Sequence, residues 1–183
     1  MFSRRSILAA LALTPALRAA QSIAQPLPLR GQGHEGAPVA ADELPGWKLV
    51  YFGYTHCPDV CPMGLHTMSE AITALGPIGE RFTPVFVSVD PERDTPQVMK
   101  EYVSFFHPRF IGISPTQAQL AEVTAAWRIK YVKVPGTNGG PYTVDHTSSI
   151  FLANPAGQIV GRFPHTLDGK DMAEKIKGVL LRS

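Results

Sequence analysis

From about residue 47 onward, short apolar runs rich in β-branched and aromatic residues alternate with helix-opening Pro and Thr positions, and this commits the chain to an α/β fold. Lys48 to Tyr54 (KLVYFGY) reads as a buried strand. Pro58 suits the first turn of a helix, where a missing N–H costs nothing. That helix is predicted to reach Leu75, with Leu65, Met68, Ile72 and Leu75 on one face, and to stop at Gly76-Pro77. Thr83 to Val89 is a second strand, Thr95-Pro96 opens a helix over 97–106, and Pro108 ends it. Phe110 to Ile113 is a short third strand, followed by a helix capped at Thr116 that runs to Arg128. After a Gly-rich loop, Ser148 to Ala153 and Gln158 to Phe163 flank Asn154-Pro155-Ala156-Gly157, a hairpin signal. A closing helix over 168–181 carries Met172, Ile176, Val179 and Leu180 as its apolar face. The expected architecture is a mainly parallel central sheet with helices on both faces, a C-terminal β-hairpin and a last helix.

The N-terminal residues read differently. Arg4 and Arg5 precede an 11-residue apolar stretch, Ile7 to Leu17, and Ser22-Ile23-Ala24 offers small residues at a cleavage site. Residues 1–24 are therefore expected to be an export signal, with Gln25 opening the mature chain. Pro15 and Arg18 interrupt the stretch, which argues against an uncleaved anchor. Ser3-Arg4-Arg5-Ser6-Ile7-Leu8 also has the look of a twin-arginine signal. Residues 25–45, with three glycines and four prolines, read as an irregular linker in which His34 is solvated. The folded domain is then 46–183.

Charge depends on that division. Of the 17 Lys and Arg, three lie in the first 24 residues, which contain no Asp or Glu. The remaining 14 face all 15 acidic residues, a balance of −1, so the domain has no basic excess with which to neutralise a phosphate backbone. Two cysteines cannot build a disulfide scaffold. Export would place both where thiols oxidise unless something keeps them reduced.

Those cysteines lie at Thr55-His56-Cys57-Pro58-Asp59-Val60-Cys61-Pro62. Four residues apart at a predicted helix start, they would share one face with Cβ atoms about 5–6 Å apart. The unpaired N–H groups there favour thiolate over thiol. A structural disulfide is a weak reading, because closing a loop of about five residues contributes only about 2 kcal/mol. Dithiol redox chemistry and metal binding remain. Thioredoxin-type exchangers space their cysteines C-x-x-C, and the three intervening residues here suit a chelate better. A third donor would complete it. His146, in Val144-Asp145-His146-Thr147 before the predicted hairpin, is the best candidate, with Asp145 placed to orient its imidazole. His56 precedes the helix, and His66 is turned roughly 140° around it from Cys61. Met68 fits the apolar face, and Met63 stays open as a thioether near the site.

Three blocks carry a resemblance: Tyr51 through Pro62 (YFGYTHCPDVCP), Val87 through Pro96 (VSVDPERDTP), and Val144-Asp145-His146-Thr147 before an apolar strand. From about residue 47 to the end, the chain resembles the Sco/SenC family. The resemblance implies a thioredoxin-like fold that binds one copper through two cysteines and a distant histidine, here Cys57, Cys61 and His146. It also implies delivery of copper to the dinuclear copper centre of cytochrome c oxidase, or reduction of that centre's cysteines. Family members commonly begin the domain with a Gly-Gly-x-Phe strand and hairpin, which residues 31–46 lack.

The metal chemistry agrees independently. Thiolates favour Cu(I) or zinc, and an added imidazole also suits Cu(II). Three donors with an open position would fit a catalytic zinc as well, but no Glu is spaced to act as its general base. Asp90-Pro91-Glu92-Arg93-Asp94-Thr95-Pro96 reads first as helix initiation, with Asp94 or Thr95 as cap, and second as a loop touching the site or a partner. Two functions follow as expectations. One is a periplasmic copper metallochaperone acting on an exported partner such as the copper-bearing oxidase subunit. The other is a thioredoxin- or peroxiredoxin-like oxidoreductase with Cys57 and Cys61 as its redox-active pair.

Overall fold

The computed structural model describes residues 27–40 and 43–182; the expected export signal lies outside them. The element order is β1 (Arg30–Gly33), β2 (Pro38–Ala40), β3 (Trp47–Gly53), α1 (Val60–Ala74), a 3-10 turn, β4 (Phe82–Ser88), α2 (Pro96–Ser104), β5 (Ile111–Ser114), α3 (Gln117–Trp127), β6 (Tyr131–Val134), a second 3-10 turn, β7 (Thr143–His146), β8 (Ser149–Ala153), β9 (Ile159–Pro164) and α4 (Gly169–Leu180). The central sheet has the order β2-β1-β5-β4-β3-β8-β9, and β6 with β7 forms a separate two-stranded sheet.

The fold is the α/β, thioredoxin-like class expected, with one correction. Parallel pairing is confined to β3, β4 and β5, whereas β1, β2, β8 and β9 join by antiparallel pairs. Strand–helix alternation identifies parallel crossovers, but it says nothing about the strands that hairpins add at the edges.

β3 and β4 are buried along their whole length, which explains their unbroken apolar composition. Tyr51 on β3 stacks on Phe86 of β4, which in turn meets Tyr102 of α2. Phe52 points the other way, against Trp127 of α3 and Phe151 of β8. Helices α1, α2 and α4 thus cover one face and α3 the other. Thr95 caps α2 by accepting from the Val98 amide with Pro96 following, and Thr116 with Gln119 forms a capping box on α3. Both starts are where the Thr-Pro and Thr signals place them.

The second correction concerns residues 25–45. Those of them that the structure describes are not an irregular linker: β1 and β2 form a hairpin, and β1 pairs with β5 through Gln32↔Ser114 and Gly33↔Ile113. The hairpin that the family pattern was expected to have lost is therefore present, built from other residues. His34 is not a solvated linker histidine either, since its Nδ1 accepts the Gly112 amide at 3.0 Å. β1 does alternate, with Gly31 and Gly33 buried between exposed Arg30 and Gln32, but its buried positions are glycines with no apolar side chain to show it. A Cβ at Gly31 would lie 2.7 Å from a methyl of Ile113.

The approach to β3 is equally constrained. Gly46 has φ +62°, and a Cβ there would collide with the Arg81 carbonyl oxygen. Gly46→Ala combines left-handed strain with that clash, and it should lower unfolding free energy by about 2 kcal/mol or more. Chemical denaturation monitored at Trp47 checks this, with a lowered midpoint at unchanged slope expected.

Candidate metal centre

The site forms where the C-terminal end of β3 hands over to α1. Helix α1 begins at Val60, two residues later than Pro58 suggests, so Cys57 lies in the turn before it and only Cys61 is helical. The two sulfurs do not meet as neighbours on one helical face. Instead, the Cys61 amide donates to Cys57 Sγ at 3.4 Å, so that sulfur occupies the place of a capping side chain. Asp59, at the N-cap position, makes no capping bond. The turn is closed by the Cys57 amide donating to the Tyr54 carbonyl at 3.2 Å.

His146 comes from β7, 85 residues away, and its Nε2 lies 3.3 Å from Cys61 Sγ. The donor atoms of Cys57, Cys61 and His146 all fall within 4.8 Å of one another. Bonds of about 2.0–2.3 Å from one ion reach donors so spaced with small adjustments. Among the described residues, this is the cluster of three such donors able to hold a metal ion. The imidazole is oriented by Thr147, not by the exposed Asp145. Nδ1 lies 3.2 Å from the Thr147 carbonyl oxygen, which can only accept, so the proton is assigned to Nδ1 and the Nε2 lone pair faces the sulfurs. The ring is also wedged edge-on between Tyr51 and Tyr54, with centroids 6.1 and 6.0 Å away.

The sulfurs differ chemically. The hydrogen bond from the Cys61 side chain holds the Cys57 thiol far below its ordinary value, aided by the Asp59 and Cys61 amides, against the opposing effect of burial. Burial pushes the Cys61 thiol up, and the neighbouring Cys57 sulfur adds to this. Cys57 is the thiolate in metal-free protein and Cys61 is its hydrogen-bond donor. A soft cation held here by Cys57 and Cys61 would displace that shared proton and take both sulfurs. Cys57 also faces a cleft of about 390 Å³ between Pro58 and Asp59 on one side and Thr143 and Asp145 on the other. Cys61 is fully buried.

Other candidates fall away. His66 is exposed and pairs with Glu70 at 3.3 Å. His56 is half exposed and lies 3.9 Å from Asp94. Met68 is core, as expected, and Met63 is exposed on the first turns of α1. The Asp90–Pro96 cluster does more than start a helix. Asp94 is fully buried and accepts from the Thr55 amide at 3.2 Å, the Thr55 hydroxyl at 2.6 Å and Ser88 Oγ at 2.6 Å. Burial raises its pKa despite the bonds from Ser88 and Thr55. It ties the start of the Cys57 turn to the end of β4.

Sequence reasoning missed three contributors. Gly53 is needed because a Cβ there would lie 2.7 Å from Cys61 Sγ and 2.8 Å from the Phe86 ring. Tyr51 anchors the helix start by donating to the Val60 carbonyl at 3.2 Å. The β6–β7 ribbon that carries His146 was expected to be a Gly-rich loop. A glycine just before the Tyr-Thr-His-Cys segment was the one signal for the first; the ribbon left none.

Comparison with known proteins agrees with this geometry. The SCO1/SenC family pattern matches residues 20–181. An SCO2-like protein of Rickettsia felis is 39% identical over 140 residues, spanning 75% of this chain and 68% of that protein. The human mitochondrial SCO1 homologue is also 39% identical, over 124 residues, which are 67% of this chain and 41% of that one. Among solved structures, copper-bound ScoI of Bradyrhizobium japonicum superposes with a TM-score of 0.76 at 38% identity, covering 85% of this chain and 99% of that chain. Copper-bound ScoI of Arabidopsis thaliana gives 0.81 at 31% identity, covering 87% and 100%. With its sequence matched nearly end to end and its two cysteines and one histidine converged, the chain belongs to the SCO1/SenC family.

Proposed function

We propose that this protein is an exported copper metallochaperone that holds one copper through Cys57, Cys61 and His146 and passes it to the dinuclear copper centre of cytochrome c oxidase. The observation that carries this reading is the convergence of two sulfurs and one imidazole nitrogen, drawn from distant parts of the chain, within 4.8 Å. Two thiolates suit Cu(I), the added nitrogen makes Cu(II) acceptable, and copper-bound relatives share the fold. The ion is cargo. It needs tight but incomplete coordination, and the cleft beside Cys57 and His146 leaves one side open to an incoming donor from the acceptor. A partner thiolate or imidazole entering there bonds the ion before Cys57 releases it, so the ion is never free.

Titration of reduced protein with Cu(I) tests this reading, with one tightly bound equivalent expected. The periplasmic location is part of the same proposal. It predicts a mature N-terminus at Gln25 when the full chain is expressed and fractionated, and recovery of uncleaved protein in the cytoplasm would refute it. Among the described residues, no helix is long and apolar enough to cross a membrane.

A thiol–disulfide oxidoreductase is the competing reading, and one observation favours it: a Cys57 thiolate lining the cleft, backed by a fully buried Cys61 thiol, resembles a nucleophile with its resolving partner. Disulfide reduction or peroxide turnover by copper-free protein, without one-equivalent Cu(I) binding, would establish it. Gly53→Ala separates the metal role from mere folding. The added methyl must push Cys61 Sγ off its position, so copper affinity should fall at least about tenfold in protein that remains folded by circular dichroism.

A further inference from the structure

His146 rides on an element that cannot hold its own position. Strands β6 and β7 pair only with each other in the sheet topology, and an isolated two-stranded ribbon is marginal in water. At its base, the ribbon is closed by the Thr147 amide donating to the Lys130 carbonyl and by the Lys130 amide donating to Thr147 Oγ1. Val144 is buried beneath it. The far half has a different attachment: besides Tyr54, which bonds the Val144 backbone, it is held by the loop after β4. Asp90 is fully buried, and its Oδ1 accepts from the Tyr142 hydroxyl at 2.8 Å. Its Oδ2 accepts from Arg93 Nε. Arg93 Nη1 donates to the Tyr142 carbonyl at 3.0 Å, and the guanidinium carbon lies 3.7 Å from the Tyr142 ring centroid. From the other strand, Lys133 Nζ reaches Glu92 at 2.7 Å and Asp90 at 3.9 Å. Both strands are thus fastened to the Asp90–Arg93 turn, and Tyr142 immediately precedes β7.

None of Asp90, Arg93, Tyr142 and Lys133 touches the cysteines' donor atoms. The sulfurs are placed by β3, α1 and the Asp94–Thr55 bonds, whereas the imidazole is placed by the ribbon. The geometry points to Asp90, Arg93 and Tyr142 as a latch that positions His146 and thereby sets which oxidation state of copper the site holds. The inference rests on the copper reading above. With the latch closed, two sulfurs and one nitrogen are available together, which Cu(II) requires. With it open, the two sulfurs remain, and they satisfy Cu(I) without the imidazole. The latch is a positioning device. Arg93 serves it through a planar fork that bonds a carboxylate and a carbonyl while stacking on a ring, which a lysine ammonium cannot reproduce.

The test uses the full chain with Arg93→Ala and, as a milder change, Tyr142→Phe, which removes only the hydroxyl with its bonds to Asp90 and Lys133. In metal-free protein, amide hydrogen exchange in β6 and β7 should quicken at least about tenfold in Arg93→Ala and less in Tyr142→Phe, with β3 unchanged. The Cu(II) dissociation constant should rise about tenfold, with a shifted thiolate-to-Cu(II) absorption band, while the Cu(I) constant stays within about threefold. If Arg93→Ala also loosens β3, it has unfolded and Tyr142→Phe decides alone. Unchanged ribbon exchange, or equal weakening of both oxidation states, overturns the latch. A His146→Ala control separates the two ideas. If that variant also spares Cu(II), the ligand reading fails, and ribbon exchange by itself still shows whether the latch holds β6 and β7.

Discussion

Protein in which Cys57 and Cys61 are joined as a disulfide will bind no more than a trace of copper, and a dithiol reductant will restore one equivalent. Oxidation takes two electrons and the one shared proton from the Cys57 thiolate and Cys61 thiol, and removes two of the three donors at once. The pair is poised for it: Cys57 Sγ already sits 3.4 Å from the Cys61 amide, and Cys57 is the thiolate that attacks an incoming disulfide oxidant. The resulting five-residue loop constrains the unfolded chain little, about 2 kcal/mol, so the bond should open readily to reductant. Cys57→Ser and Cys61→Ser should each abolish tight binding, and reductant should rescue neither. Copper stoichiometry measured alongside a free-thiol count checks this. Full loading of protein with no free thiols would remove both cysteines from the ligand set.

His146→Ala should weaken Cu(II) by at least about 100-fold while Cu(I) loses less than about tenfold, in protein that keeps its fold. The asymmetry follows from where the donors come from. Removing the imidazole leaves the sulfurs in place, because their positions depend on Gly53, the helix start and the Asp94–Thr55 bonds. The ring does contribute edge contacts to Tyr51 and Tyr54, so a modest loss of thermal stability accompanies its removal. Competition titrations against a Cu(I) chelator and a Cu(II) chelator separate the two constants. Equal small losses for both ions would make His146 structural.

The two cysteines were legible because their chemistry is local. A Cys-x3-Cys at a strand-to-helix junction carries its own argument, and even the later helix start at Val60 changed only how the sulfurs converge. The capped starts of α2 and α3 and the unbroken apolar β3 and β4 were legible for the same reason, since each depends on a few consecutive residues. His146 was different. Its position before the predicted hairpin made it the best candidate among six histidines, but spacing alone gave it no link to the cysteines, and the family resemblance added the role that the geometry now supports. Its supposed partner Asp145 proved exposed, because alternation along β7 turns Val144 and His146 inward and Asp145 out.

By itself, then, the amino-acid sequence determined the α/β class, the soft donor pair at a helix start and the absence of a basic excess after residue 24. These follow from composition, from periods of 2 and 3.6, and from the chemistry of adjacent side chains. Tertiary structure decided the rest. The β1–β2 hairpin lies against β5 because glycines let it approach, and the β6–β7 ribbon is fastened by buried Asp90 and partly buried Arg93 through a tyrosine 49 residues beyond Arg93. Both elements draw their stability from contacts made only after the chain has folded back on itself. A strand whose partners are distant need show no pattern of its own, because tertiary packing overrides local propensity wherever an element is short and edge-placed.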